Sequence, residues 1–214
     1  IQAAEQSGGG KVYLEYEPKV AAIGAGLDIF KPSGNMVIDM GGGTSDIAIL
    51  SLGDIVSSQS VRMAGDKMNT DITEYIKAKH GLVIGEHSAE QIKIKLGTAL
   101  KVAEPKTMDV RGRDVATGMP RQIQINENEI EEALHDTLDQ IVHAAIAVLE
   151  TVPPELASDI IDRGVMLTGG TALLHGIDQL FSEKLKVPVV VSQDPLDNLS
   201  LIHISEPTRR SYIS

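Results

Sequence analysis

Residues 37–49 read Val37-Ile38-Asp39-Met40-Gly41-Gly42-Gly43-Thr44-Ser45-Asp46-Ile47-Ala48-Ile49, and this stretch decides the fold. Two apolar runs flank three consecutive glycines and a hydroxyl residue, the pattern of two buried strands joined by a hairpin. A simple hairpin needs one or two glycines. Three in a row leave a tip bare of side chains, so its backbone N–H groups can approach a phosphate, and positive φ is expected there. Asp39, at the end of its strand, is a candidate Mg²⁺ ligand through water, because Mg²⁺ keeps much of its hydration shell. Thr44 adds a hydroxyl. The loop is not a Walker A loop, which needs Gly-Lys-[Ser/Thr] ahead of a helix. An ordinary Gly-rich hairpin remains the alternative reading.

Working outward, Ile55 to Val61 follows the turn Gly53-Asp54 as a third strand. Upstream, Ile1 to Gln6 reads as a helix ended by Gly8-Gly9-Gly10, Lys11 to Tyr16 as a short strand, and Pro18 opens the helical run Val20-Ala21-Ala22-Ile23. Downstream, Met68, Ile72, Tyr75, Ile76 and Lys79 keep helical spacing up to Gly81. Ser88 with Gln91 is a candidate capping box for the next helix, and Asn126 with Glu129 caps a long one carrying Ile130, Leu134, Leu138, Ile141 and Ala145. Thr107 to Arg111 and Arg121 to Ile125 read as strands. After Pro153-Pro154 come a short helix, the buried strand Val165-Met166-Leu167, and a second glycine turn, Thr168-Gly169-Gly170-Thr171, expected to open a helix. Pro188 to Val191 is a last strand. The architecture is mixed α/β. A strand-rich segment (33–65) and its completion (151–198) bracket a mainly helical insertion (66–150).

The 214 residues carry a formal charge of −11, which argues against nucleic acid as a partner. The chain has no cysteine, which excludes disulfides, thiolate metal sites and a Cys nucleophile, and suits a reducing cytoplasm. No apolar run approaches the roughly 20 residues of a membrane span. The six histidines are scattered without ligand spacing, and the methionines read as core filler. The start, Ile1-Gln2-Ala3-Ala4, has neither Met nor a signal-peptide pattern and is expected to lie inside a longer coding sequence.

Two glycine turns bracketing a helical insertion resemble the actin, Hsp70 and sugar-kinase superfamily. Five further segments narrow that resemblance to the MreB family of bacterial actin homologues. They are Glu17-Pro18-Lys19-Val20-Ala21-Ala22-Ile23-Gly24, the stretch Gly85-Glu86 to Ile92-Lys93, Arg111-Gly112-Arg113-Asp114 with Gly118 and Pro120, Pro153-Pro154-Glu155-Leu156-Ala157-Ser158-Asp159-Ile160, and Arg163-Gly164-Val165-Met166-Leu167-Thr168-Gly169-Gly170. The match runs from about residue 1 to residue 198.

The resemblance implies an actin-like ATPase fold with a ribonuclease H-like core, in which ATP and Mg²⁺ sit between two lobes. This chain would supply the second lobe, with residues 1–32 ending the first. Glu17 matches the residue that orients the attacking water, Asp39 the Mg²⁺-associated acid, and Gly42-Gly43-Thr44 the phosphate turn. Asp66 matches an acid near the nucleotide, although Ala64 stands where the family has Gly. Glu90, Gln91, Ile92 and Lys93 match the segment that reaches ribose and base. Gly170, Thr171, Ala172 and Leu173 match the adenosine turn, with Thr171 in place of a third Gly. Each has a blander reading as well. Without the resemblance Glu17 reads first as a solvated loop acid, Glu90 and Lys93 as an exposed helical ion pair, and Gly169-Gly170 as a tight packing turn.

The implied parent is a cytoplasmic, membrane-associated filament protein that organises cell-wall synthesis and rod shape. Its implied partners are itself, RodZ, MreC and the inner membrane surface. A Hsp70-type chaperone ATPase domain is the alternative. Past Asp194-Pro195-Leu196 the resemblance stops. Residues 199–214 look like one reading frame of a common sequencing adapter and are expected to make few core contacts and carry no function.

Overall fold

The computed structural model describes residues 15–196. The helix expected over 1–6, most of the strand expected over 11–16, and the tail 199–214 lie outside them.

β1 (Asn35–Met40) is buried along its whole length and lies at the centre of a five-stranded sheet. β2 (Ser45–Ser51) returns beside it antiparallel, with Asp39 opposite Asp46. β3 (Asp54–Val61) adds the edge, and its register shifts between Ile49 and Leu50. On the other side β7 (Val165–Thr168) and β8 (Val189–Val191) run parallel to β1, giving the order β3-β2-β1-β7-β8. Side chains alternate across a strand, which divides the core in two. Met36, Ile38, Met40, Ile47 and Ile49 join the large cluster, while Val37, Ala48 and Leu50 pack with Ala21, Ala22 and Ile29. The Ala pair belongs to α1 (Glu17–Gly24), whose small residues let the helix approach the sheet closely.

Between β3 and β7 the chain builds α2 (Gly65–His80), β4 (Leu82–Val83), α3 (Glu86–Leu96), β5 (Thr107–Asp114), β6 (Pro120–Asn126) and α4 (Glu127–Glu150). β4, β5 and β6 form a second, antiparallel sheet. The expected Asn126–Glu129 capping box is present in both halves: the Asn126 side chain accepts from Glu129 N–H, and the Glu129 carboxylate accepts from Asn126 N–H. The Ser88–Gln91 box does not form. α3 begins three residues earlier, at Glu86 with the extended Gly85 as N-cap in place of Ser88, and has no side-chain cap. An acid in that first turn suits the positive end of the helix dipole, so Ser88 sits inside the helix.

α5 (Pro154–Arg163) leads into β7. The second glycine turn opens only one short 3₁₀ turn, Gly170–Leu173. The following helix, α6 (Ile177–Leu185), starts after Gly176, whose positive φ redirects the chain.

Candidate functional site

The two glycine turns and the start of the insertion meet at the C-terminal ends of β1 and β7. Gly41 is the hub. Its N–H donates to Thr44 O, and its own carbonyl accepts from Gly65 N–H at 3.2 Å and from the Thr171 hydroxyl at 3.2 Å. Asp66 N–H donates to Gly42 O at 2.8 Å. The first turn of α2 thus spends two of its orphan N–H groups on the hairpin tip. Among the described residues no backbone acceptor takes the N–H groups of Gly42 and Gly43.

None of the three tip glycines has positive φ, contrary to expectation. A Cβ at Gly42 would lie 3.7 Å from Asp66 Oδ1, an ordinary contact. What the glycines provide is clear space in front of the turn. Gly169 is the strained one. Its φ is +84°, and a Cβ there would sit 2.4 Å from the Met40 carbonyl oxygen and 2.6 Å from Asp39 Oδ1. Only glycine can lie against the end of β1 at that point.

Two adjoining hollows share Gly41, Gly170 and Leu196. The smaller, of about 150 Å³, is lined by Glu17, Asp39, Gly41, Thr44, Asp46 and Gly169 among others. The Thr44 hydroxyl donates to Asp46 Oδ2 at 2.9 Å. Burial, then the nearby carboxylates of Glu17 and Asp46, push the Asp39 carboxyl up to about 6. Burial is the larger cause, and the two neighbouring carboxylates add negative potential in the same direction. Hard oxygen donors in such a spot fit Mg²⁺. Among the described residues no three acidic or imidazole groups converge closely enough to ligate a metal directly, so the fit is to an ion held through its water shell.

The larger hollow, about 490 Å³, is a cleft between the sheet and the insertion. Gly42, Asp66, Glu90, Lys93, Gly170, Thr171 and Leu173 all line it. Lys93 donates to the Gly65 carbonyl at 2.8 Å rather than pairing with Glu90. Burial lowers its pKa, against the opposing pull of Glu90 and Asp66. Ile94, Leu173 and Leu196 are exposed by 67%, 58% and 68% at the mouth, an apolar rim suited to a flat ring.

Three expected residues point elsewhere. Gln91 lines a different groove, between α3 and β5; Ile92 is fully buried in the core; Ala172 is 2% exposed and packs inward. On a helix, neighbours at i+1 and i+2 do not share the face of Glu90 and Lys93. Gly43 lies at the exposed tip and lines neither hollow, although a Cβ there would be 4.0 Å from Asp66 Oδ2. Asp46, Gly65, Ile94 and Gly97 line the hollows without a role expected from the sequence, and Gly169, expected only as part of the second glycine turn, packs on Asp39. For Asp46 the signal was available, since pairing across a 41–44 turn sets it opposite Asp39.

The MreB/Mbl protein family model matches residues 1–202. The cell shape-determining protein Mbl of Bacillus subtilis (strain 168) is 58% identical over 200 residues, covering 94% of this chain and 60% of that protein. The cell shape-determining protein MreB of Escherichia coli (strain K12) is 47% identical over 195 residues, covering 91% and 56%. The chain therefore spans less than two thirds of these relatives. Among solved structures, the crystal structure of MreB 5 of Spiroplasma citri bound to AMPPNP superimposes with a TM-score of 0.89 at 38% identity, covering 93% of this chain and 60% of that one. The MamK double helical filament gives a TM-score of 0.68 at 19% identity, a likeness of fold alone.

Proposed function

The chain belongs to the MreB/Mbl family, and from that premise we propose that it carries the second-lobe half of an ATP site in a filament-forming, cell-shape ATPase. The observation that supports this most directly is the junction of an acidic hollow and an apolar-rimmed cleft at one bare glycine turn. In this reading the N–H groups of Gly42 and Gly43, with the Thr44 hydroxyl, cradle the phosphates. Glu90 and Lys93 approach the ribose from α3, and Gly170, Thr171 and Leu173 flank the adenine. Asp66 steadies the α2 end of the turn. Asp39 holds Mg²⁺ through water, and Glu17 orients the attacking water. When bound, Mg²⁺ neutralises charge on the phosphates. Gln91, Ile92 and Ala172 act by packing the elements that present these groups.

The domain division follows the same reading: 1–32 closing the first lobe, 33–65 with 151–198 forming the nucleotide-binding core, and 66–150 the insertion. For the whole protein we propose self-association into filaments on the cytoplasmic face of the membrane, acting with cell-wall elongation proteins such as RodZ and MreC. High identity to proteins named for cell shape favours this over a chaperone.

Binding of a fluorescent AMPPNP analogue with Mg²⁺ tests the site. The chain is expected to bind it, and Asp39→Ala to lose about tenfold in affinity, or 1.4 kcal/mol. Equal affinity of the two would overturn the assignment.

A further inference from the structure

β3 is the outer strand of the five-stranded sheet, and among the described residues no strand pairs with its far edge. Hydrogen-bond alternation identifies the groups on that edge. Gly41 N–H donates to Thr44 O, so even-numbered residues of β2 bond to β1 and odd-numbered ones to β3. The register Ser45↔Val61, Ile47↔Gln59 and Ile49↔Ser57 then occupies the odd residues of β3. The N–H and C=O groups of Ser58 and Ser60 point outward.

Sheet edges are ordinarily blunted by charge, Pro or a covering segment. From Ile55 to Val61 this edge has no charge and no Pro. The register shift makes Val56 an extra residue and leaves Ser57–Val61 as the regular part. Beside it, between β3 and α4, lies a groove of about 470 Å³ lined by Gln59, Val61, Arg62 and Met63 on one side and by Gln140, His143 and other residues of α4 on the other. Charges stand only at the two ends. Asp54 and Arg62 are exposed, and among the described residues neither has an ion pair.

We infer that β3 pairs antiparallel with β3 of a second copy of this chain, across a two-fold axis at Gln59. The pairing sets Ser58 against Ser60 of the other copy twice, joining two five-stranded sheets edge to edge. It also brings Asp54 of each copy towards Arg62 of the other. A parallel pairing would bring like charges together, which disfavours it. An isologous contact of this kind closes on itself, so it makes a dimer and not a fibre. The edge lies apart from the nucleotide cleft, and the contact needs no nucleotide.

The absence of cysteine makes the test direct. Gln59 faces its own copy at the closest kind of antiparallel pair, with Cα atoms about 4.5 Å apart, within disulfide range. Under mild oxidation without nucleotide, the 214-residue chain bearing Gln59→Cys is expected to form a disulfide dimer about tenfold faster than one bearing Asp178→Cys, on exposed α6. Adding Asp54→Arg is expected to slow it about fivefold, and adding Arg62→Asp as well to restore it. Sedimentation of the cysteine-free chain gives a second readout. Ser60→Pro removes an outward N–H while sparing the bonds to β2, and it is expected to abolish the dimer. Equal oxidation rates at 59 and 178, no restoration by the charge swap, or an unmodified chain that stays monomeric would each overturn the inference. Because nucleotide is omitted, failure of the ATP-site proposal leaves this result intact.

Discussion

Asp39 shows how a single residue can be set against its own environment. It is 4% exposed, and its pKa is raised from 3.8 to about 6, by burial first and by Glu17 and Asp46 after that. Between those two values the native chain holds more protons than the unfolded one. Its contribution to stability is therefore complete below about pH 4 and is lost as pH rises through about 6. Urea unfolding between pH 4 and 8 is expected to show this contribution falling from about pH 4 to just above 6 and levelling off beyond. Asp39→Asn is expected to flatten the profile and raise stability at pH 7.5 by about 1–3 kcal/mol, while weakening Mg²⁺-dependent nucleotide binding. The glycines divide in a comparable way. Gly169→Ala combines positive φ with a clash against Met40 O and is expected to cost about 3 kcal/mol or prevent folding. Gly42→Ala has room for its methyl and is expected to leave the melting temperature within about 2–4 °C of the parent while reducing nucleotide affinity. The sequence could not separate these two glycines. Positive φ and close approach are properties of packing, and Gly169 acquires both only because β7 lies beside β1.

At the scale of elements, capping separates what was readable from what was not. Asn126 stands between the polar end of β6 and the apolar period of α4, so the helix has one plausible start, and the box forms. Ser88 had the right spacing to Gln91, but Gly85 and Glu86 offered an earlier start that also satisfies the dipole. A three-residue motif cannot choose between overlapping starts. Asn126→Ala is expected to cost about 1 kcal/mol and Ser88→Ala less than about 0.5 kcal/mol in equilibrium unfolding. A larger loss at Ser88 than at Asn126 would contradict the observed start of α3. Most strands were legible because their apolar runs end in turn residues. β4, two residues long, has too little sequence to carry a period. The cleft wall on α3 was legible only in part. Glu90 and Lys93 share one face, but naming all four residues from 90 to 93 ignored the helical rotation that turns Ile92 into the core.

For the whole molecule, the sheet and the insertion are not independent bodies. One apolar cluster runs from Met36 and Ile38 in β1 through Ile72 and Ile92 to Val110 and Ile125 in the second sheet. The cleft lies on the seam, with the Gly41-Gly42 turn on the sheet side and Glu90 and Lys93 on the insertion side. Nucleotide bound there would touch both sides and favour their present spacing. Glu17 stands differently. It is exposed at the first turn of α1, and its carboxylate reaches the Asp39 hollow rather than the cleft. In the proposed site that hollow is the water side of the phosphates, and a group placed there and not at the nucleoside would act mainly at the transition state. In a full-length protein carrying this sequence, Glu17→Ala is therefore expected to keep nucleotide affinity within about threefold while slowing phosphate release by roughly 10²–10⁴-fold, the range of a lost proton-handling group. The 214-residue chain, which spans 60% of its B. subtilis relative, is expected to bind without turning over. Single-turnover phosphate release measured beside equilibrium binding separates the two effects. A Glu17→Ala protein that bound weakly yet hydrolysed each bound ATP at the parental rate would place Glu17 in binding and not in catalysis.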